Sequence, residues 1–162
     1  MVTTSEEHTT PNIPSSRDRR RNAVPLPVIA WLRLARVFLK IDRRTADTMR
    51  PWSLSVARFD ILNQAGAREG RSQQELADAL LMTKGNVTQL LDAMEKEGLL
   101  YREKRGRTNH VYLTDRGREV RQQSVREQES RIVDEFATLT EEEQATLLYL
   151  LRKLERSLSD PS

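Results

Sequence analysis

Five hydrogen-bonding side chains lie close together between residues 83 and 89, namely Thr83, Lys84, Asn86, Thr88 and Gln89. An asparagine or glutamine amide can pair bidentately with adenine in the DNA major groove, and a lysine suits a phosphate. Gly85 lowers helix propensity by about 1 kcal/mol, but it would let the backbone approach DNA closely. Because this polar cluster has no evident role in folding, we predict contacts with bases or phosphates. The alternative is that an exposed helix face is polar by default.

A second cluster is basic and consists of Arg102, Lys104, Arg105 and Arg107. Four cations so close to the polar cluster predict contacts with phosphates or with the minor groove, and Arg107 is the strongest single candidate. The alternative is an ordinary solvated turn. His110, just beyond, is either a pH-sensitive phosphate contact or simply an exposed strand histidine.

Catalytic and metal-binding chemistry has little support in the sequence. The two histidines are His8 and His110, and no serine or carboxylate stands in a motif that either could activate. There is no glycine-rich phosphate loop, and the absence of cysteine excludes disulfides and thiolate metal sites. We therefore expect no enzymatic activity, no cofactor and no metal.

Two short helices separated by a tight turn must position the polar cluster. Ser72 and Glu75 form a capping box that predicts a helix from Ser72 to about Leu80. A second helix is predicted to begin at Thr83 or Lys84, and Gly98 ends it as a C-terminal cap. Its apolar residues follow a 3.6-residue period along one face and are Val87, Leu90, Leu91 and Met94.

Two short predicted strands, residues 100–104 and 109–113, carry the basic cluster, and Arg105-Gly106-Arg107-Thr108 joins them. In the second strand apolar residues alternate with His110 and Tyr112, which predicts one buried and one exposed face. The buried residues would be Val111 and Leu113. Two short helices followed at once by a basic hairpin indicate a winged helix-turn-helix.

Helices are also predicted before this core. The segment from about 27 to 49 carries two apolar stripes, which predicts burial on two sides, one within its own chain and one against a partner subunit. The first stripe consists of Val28, Trp31, Leu32 and Ala35, and the second of Leu34, Phe38 and Ile41. Pro25 or Pro27 can stand in its first turn. Ser55 is a good N-cap for a following helix from Val56 to about Ala65.

Two more helices are predicted after the hairpin. The first, from about Asp115 to Ala137, is charged all round in its first half, which predicts a solvent-facing or bridging segment. Thr140 and Glu143 form another capping box, and they begin a final helix with a leucine stripe. An amphipathic helix at a chain end must bury its stripe somewhere.

Composition sets the context for this fold. The 162 residues carry a net charge of only +3, and no run approaches the roughly 18 apolar residues of a membrane span. Residues 1–24 are rich in Ser, Thr, Pro and Arg, which predicts a disordered basic tail that either contacts phosphates or is merely solvated. The start of the chain lacks a signal-peptide pattern, so we expect a cytoplasmic protein without membrane contact.

The stretch SQQELADALLMTKGNVTQLLDAMEKEGLLYREKRGRTNHVYLTDRGREV resembles the MarR family of bacterial transcription regulators. The long helices at both ends favour this family over other winged-helix proteins. The resemblance implies a mainly α fold, with residues 25–162 as one domain, a winged core at about 54–114 and dimerisation helices at about 27–49 and 115–158. It also implies a homodimeric regulator, a repressor, on a pseudopalindromic double-stranded operator. The alternative is a winged-helix protein-interaction module that does not bind DNA.

The resemblance also implies roles for single residues. The family's wing usually holds an Asp, one further residue and an Arg that enters the minor groove; Arg107 matches that Arg, whereas Arg105 takes the place of the Asp in a shorter wing. Glu103 is a candidate substitute for the missing carboxylate. Relatives often bind small aromatic acids, and the residues that could line such an effector pocket are Trp31, Trp52, Arg58 and Phe59. The alternative is that these aromatics belong to the core and that Arg58 is a surface residue.

Overall fold

The computed structural model describes residues 24–159, and the predicted tail at 1–24 lies outside them except for Val24. These residues form two compact units, divided after Ile41. The helices are α1 (Leu26–Met49), α2 (Val56–Ala67), α3 (Gln73–Ala79), α4 (Lys84–Lys96), α5 (Asp115–Phe136) and α6 (Glu141–Ser159), with a 3-10 turn at Arg50–Trp52. The strands are β1 (Arg71–Ser72), β2 (Leu100–Arg105) and β3 (Thr108–Leu113).

The first unit contains α1 up to Ile41. Pro27 stands in the first turn of this helix, where its missing N–H costs nothing. The predicted apolar stripes are present, but most of their side chains are exposed in the single chain: Trp31 is 63% exposed and Phe38 is 64% exposed. Only Ala35 and Ile41 of these stripes are half-buried, so the predicted burial on two sides is absent from this chain alone.

The second unit has its core between α2, α3, α4 and the sheet. Ser55 caps α2 by accepting a hydrogen bond from the Arg58 N–H, as predicted, and α2 continues to Ala67, two residues beyond the predicted end. The largest fully buried side chains include Met49, Ile61, Leu62, Leu76, Leu91, Met94, Leu100 and Leu113. These residues come from successive elements, so the predicted apolar faces meet in one cluster.

The sheet has the order β1-β3-β2, with antiparallel pairing throughout. The two-residue strand β1 was not predicted, because so short a strand leaves no alternating pattern. It pairs Ser72 with His110, and the His110 ring Nδ1 lies 2.7 Å from the Gly70 carbonyl oxygen. His110 is therefore half-buried and tied to the backbone, and the prediction of a simply exposed strand histidine is wrong.

The first half of α5 packs against α2, so the prediction of a solvent-facing segment is wrong. Gly117, Ser124 and Gln128 are buried along one face of the helix. The Gln128 amide donates a hydrogen bond of 2.8 Å to the buried Thr45 hydroxyl. The fully buried residues of this face are small or polar, and only the half-buried Val120 and Val125 add apolar contacts with the core, which is why the apolar pattern did not reveal it.

The last helix, α6, begins at the predicted capping box. The Thr140 N–H donates to the Glu143 carboxylate at 2.9 Å, and the Glu143 N–H donates to the Thr140 hydroxyl at 3.3 Å. Most of its apolar side chains are exposed in the single chain, with Leu158 79% exposed, whereas Leu147 is half-buried. Between residues 24 and 159 we find no helix long and apolar enough to span a bilayer.

Candidate nucleic-acid interface

Helix α4 begins at the polar cluster, and two members of that cluster also stabilise the helix. Thr83 is the N-cap and accepts a hydrogen bond from the Asn86 N–H at 3.3 Å. The Thr88 hydroxyl donates to the Lys84 carbonyl at 2.8 Å. The premise that the cluster has no role in folding is therefore wrong for Thr83 and Thr88, because their hydroxyls satisfy backbone groups of α4.

The side chains of the other cluster members, and the neighbouring Gly85, do not stabilise α4 through hydrogen bonds. Lys84, Gly85, Asn86 and Gln89 are exposed, and within residues 24–159 the three side chains make no hydrogen bond or ion pair. A Cβ built on Gly85 would meet nothing within 4 Å, so the backbone there is open to an approaching surface. This end of α4 presents two amides and one ammonium group to solvent.

The hairpin between β2 and β3 is tighter than predicted. Arg105 pairs with Thr108, so only Gly106 and Arg107 form the loop. Gly106 has φ +63° at the first central position, as a type II′ turn requires. Arg107 therefore stands at the tip of the wing, exposed, and we find no partner for its guanidinium in the described part of the chain.

Arg102 does not belong to the exposed basic surface. Its side chain is only 20% exposed and lies between Asp92 and Glu95 of α4, with Nη2–O distances of 2.6 and 2.5 Å. The hydrogen bonds that Arg102 donates to Glu95 and Asp92 raise the pKa of Arg102 above its ordinary value, although burial acts in the opposite direction. The predicted direct DNA contact at Arg102 is not supported, because the side chain is already engaged by two carboxylates.

Arg105 is also held by its neighbours. It forms an ion pair of 3.2 Å with Glu103, and its guanidinium lies 5.3 Å from the centre of the Tyr112 ring. Tyr112 in turn stacks on Tyr101. Glu103 thus pairs with a wing arginine, as suggested, but with Arg105 rather than Arg107. Lys104, between these two residues in β2, is exposed and has no acidic partner among residues 24–159.

The predicted effector pocket is not supported at two of its four residues. Phe59 is buried in the core, and Arg58 forms an ion pair with Glu97 at the end of α4. Arg58 is therefore not the surface residue of the alternative reading either. Trp52 is half-buried, and its indole N–H donates to Gln123 at 3.1 Å. Trp31 lies in the first unit and is exposed.

Comparisons with known proteins agree with this geometry. The sequence model of the MarR family matches residues 52–108. An HTH-type transcriptional regulator of Bacillus cereus is 30% identical over 131 residues, which cover 79% of this chain and 88% of that protein. The chain belongs to the MarR family.

Two further relatives extend the comparison for this MarR-family protein. The HTH-type transcriptional regulator PecS of Dickeya dadantii (strain 3937) is 30% identical over 148 residues, covering 88% of this chain and 89% of PecS. The crystal structure of the oxidised form of MarR from E. coli has a TM-score of 0.69 at 26% identity, covering 83% of this chain and 97% of that chain. The MarR-family protein is thus a mainly helical transcriptional regulator with a DNA-binding winged helix-turn-helix, and not an enzyme.

Asp92 and Glu95 are the site residues that sequence reasoning missed in this MarR-family protein. The two carboxylates lie three residues apart and therefore share one face of α4. In a winged helix-turn-helix the hairpin follows this helix directly, so a carboxylate pair near the helix end is a signal for an arginine in the first strand. The carboxylate pair is present in the sequence, but the basic cluster contains four cations, and the sequence does not indicate which of them pairs with the carboxylates.

Proposed function

We propose that this MarR-family protein is a homodimeric repressor that binds a pseudopalindromic operator through α4 and the wing. The observation that carries the proposal is a set of exposed groups without acidic partners in the described part of the chain. This set comprises Lys84, Asn86 and Gln89 on α4 with Lys104 and Arg107 on the wing. Amides suit base edges in the major groove, and the cations suit phosphates or the minor groove.

Thr83, Gly85 and Thr88 complete the proposed surface on α4. Gly85 supports it through its open backbone. The Thr83 hydroxyl accepts a hydrogen bond within the helix and keeps its proton to donate to a phosphate. The Thr88 hydroxyl has donated its proton to the Lys84 carbonyl, so its oxygen can only accept, for example from a base amino group. Arg105 contributes its charge near the tip, while its geometry is set by Glu103 and Tyr112.

A second copy of the chain is the proposed cover for the exposed apolar faces. In the first unit these faces include Trp31 and Phe38, and in the second unit they include Leu151 and Leu154 of α6. Apolar surface of this extent on a monomer usually marks an interface. Two-fold symmetry would place two winged domains on half-sites about one helical turn apart. The boundaries of a winged core at about 54–114 and of dimerisation helices at about 27–49 and 115–158 stay predictions.

A small aromatic effector is a proposal that rests on the resemblance. Trp52 offers the best starting point, because it lines an open cleft of about 400 Å³ with Gln122, Gln123, Arg126 and Glu127. Release of DNA by such a ligand would be measured by adding aromatic carboxylates to the preformed complex.

DNA binding is tested by a gel shift with salt titration, using DNA selected in vitro and the promoter of the protein's own gene. We expect affinity that falls steeply with salt, and the Arg107→Ala variant should bind more weakly with a salt slope reduced by about one. Arg126→Ala, which removes an exposed cation on α5, is the matched control and should bind as the wild type does. Absence of a shift, or affinity independent of salt, would overturn the proposal in favour of a protein-interaction module.

The dimer is tested by light scattering. The wild type should have twice the 18.7 kDa chain mass, and a Leu151→Glu, Leu154→Glu variant should shift towards a single chain. Leu81→Glu is the control, because Leu81 is also an exposed leucine but lies outside the proposed interface. A monomeric wild type would exclude the proposed homodimer with its two winged domains on two half-sites.

A further inference from the structure

Glu95 and Arg102 form the densest polar contact between α4 and the wing. The Arg102 backbone N–H donates to Glu95 Oε1 at 2.9 Å. Its side-chain Nε and Nη2 donate to Glu95 Oε2 at 3.0 and 2.5 Å. Both oxygens of one carboxylate are thus used by one residue, and Asp92 adds a fourth contact to Nη2 at 2.6 Å.

The position of this contact allows it to fix the wing relative to α4. Glu95 is in the last turn of α4, and Arg102 is the third residue of β2, opposite the buried Val111. The contact therefore joins the helix that carries the polar cluster to the strand that leads to Arg107. We infer that Arg102 is a positioning residue, which locks the wing to α4 through Glu95 and makes no contact with DNA itself.

Charge supports this role over a phosphate contact. One guanidinium lies between two carboxylates, so the cluster of Arg102, Asp92 and Glu95 has no surplus of positive charge to offer a phosphate. Charge-assisted contacts in which two guanidinium nitrogens converge on one carboxylate oxygen have a defined geometry that a lysine cannot reproduce. Lys104, two residues along β2, has no such partner among residues 24–159 and is the natural contrast.

The inference rests on the proposed DNA binding and makes a distinct prediction about salt dependence. A residue that contacts phosphate releases counterions, whereas a positioning residue does not. Arg102→Met keeps the aliphatic chain but removes the guanidinium. We expect this variant to bind DNA about tenfold more weakly, with an unchanged slope of log affinity against log salt. Lys104→Met should weaken binding and also reduce that slope by about one.

Glu95→Gln provides the sharpest test, because it removes a negative charge close to the DNA-binding surface. On electrostatic grounds alone, this change would strengthen DNA binding. If Glu95 acts by holding Arg102, binding should instead weaken by a factor similar to that for Arg102→Met. The double variant should be no weaker than either single variant, since both changes break the same contact.

The experiment measures affinity for selected DNA by fluorescence anisotropy at several salt concentrations. Hydrogen exchange of the β2 amides is followed in the same proteins, and faster exchange in Arg102→Met and Glu95→Gln with α4 still protected supports a loosened wing in a folded domain. A reduced salt slope for Arg102→Met, or tighter binding by Glu95→Gln, would overturn the inference while leaving the proposed function intact. Failure of the wild type to bind would overturn both.

Discussion

Gly117 lies against the Leu99 carbonyl so closely that a Cβ built on Gly117 would overlap the Leu99 oxygen. The same carbonyl accepts a hydrogen bond from the Thr114 N–H at 3.2 Å, and the Thr114 hydroxyl donates to the Gly98 carbonyl at 2.6 Å. The start of α5 is thereby fixed onto the segment between α4 and β2. Only glycine at position 117 permits this approach of two backbones.

Replacement of Gly117 by alanine should therefore destabilise the fold. The methyl group would meet backbone rather than a flexible side chain, so α5 must move away from Leu99. We expect the free energy of unfolding to fall by about 3 kcal/mol, at the upper end for overpacking. Urea unfolding followed by circular dichroism measures this change, and a loss under 0.5 kcal/mol (roughly the scatter of neutral surface changes) would contradict the close packing.

Gly85→Ala should have the opposite effect on stability. Gly85 is in the first turn of α4, and its Cβ would be in open space, so alanine should raise the free energy of unfolding by up to about 1 kcal/mol. The same methyl group would keep the α4 backbone from approaching DNA. We therefore expect a more stable protein with weaker operator binding, measured by unfolding and by gel shift. Equal affinity for both proteins would show that the backbone at Gly85 does not approach DNA.

Leu81→Gly should stabilise the protein. Helices α3 and α4 end in the same motif, but the residue with left-handed backbone is a leucine after α3 and a glycine after α4. At the end of α3 the Leu81 N–H donates to Asp78 and the Met82 N–H donates to Ala77, with Leu81 at φ +52°. The end of α4 has the same pair of bonds, but Gly98 takes the left-handed position at φ +70°. This is the Schellman arrangement, in which a residue with a Cβ is strained.

The expected gain for Leu81→Gly is about 1 kcal/mol in the free energy of unfolding. Removing the leucine side chain should lose almost no buried apolar surface, because Leu81 is 96% exposed. Leu81→Ala is the matched control, because it removes the side chain but keeps the strained Cβ. A similar gain in both variants, seen by thermal melting, would show that backbone strain is not the cause.

Asp60→Asn should change how stability depends on pH. Burial, and secondarily the nearby Asp42 carboxylate, raise the pKa of Asp60 above its ordinary value of 3.8. Because the folded-state pKa is the higher one, the folded state binds the proton more tightly, and stability contributed by this group falls as pH rises from 3.8 through the folded-state value. The asparagine variant escapes this loss.

We therefore expect Asp60→Asn to be more stable than the wild type at neutral pH, with the difference shrinking as the pH approaches 3.8. Unfolding midpoints in urea, measured between pH 4 and pH 7 (roughly the range that spans an ordinary and a raised carboxyl pKa), provide the test. Asp47→Asn is the control, because Asp47 is exposed and forms an ion pair with Arg50. A gap that widens towards acidic pH would contradict the raised pKa.

The contacts predicted correctly from the sequence are mostly local ones. The Ser72–Glu75 and Thr140–Glu143 capping boxes, the N-cap at Ser55 and the end of α4 at Gly98 all join residues no more than about one helical turn apart. Within such a short span, residue type and spacing fix which donor meets which acceptor. Apolar periodicity then oriented α4 and β3 towards the core, which gave the winged helix-turn-helix.

The sequence by itself thus determined the helices α1 to α6, the hairpin, their order and the family, but not the two-residue strand β1. Only the tertiary structure decided which charged and polar side chains remain available. Arg102 and Arg107 look alike in the sequence, yet Arg102 meets Glu95 and Asp92 whereas Arg107 reaches the hairpin tip unpaired within the described chain. Likewise, the sequence did not indicate the buried face of α5, which the structure shows through the hydrogen bond from Gln128 to Thr45. Thr45 and Gln128 are 83 residues apart in the chain, and Glu95 and Arg102, though only 7 residues apart, lie on a helix and on a strand. Both contacts therefore depend on how helices and strands pack rather than on local preference.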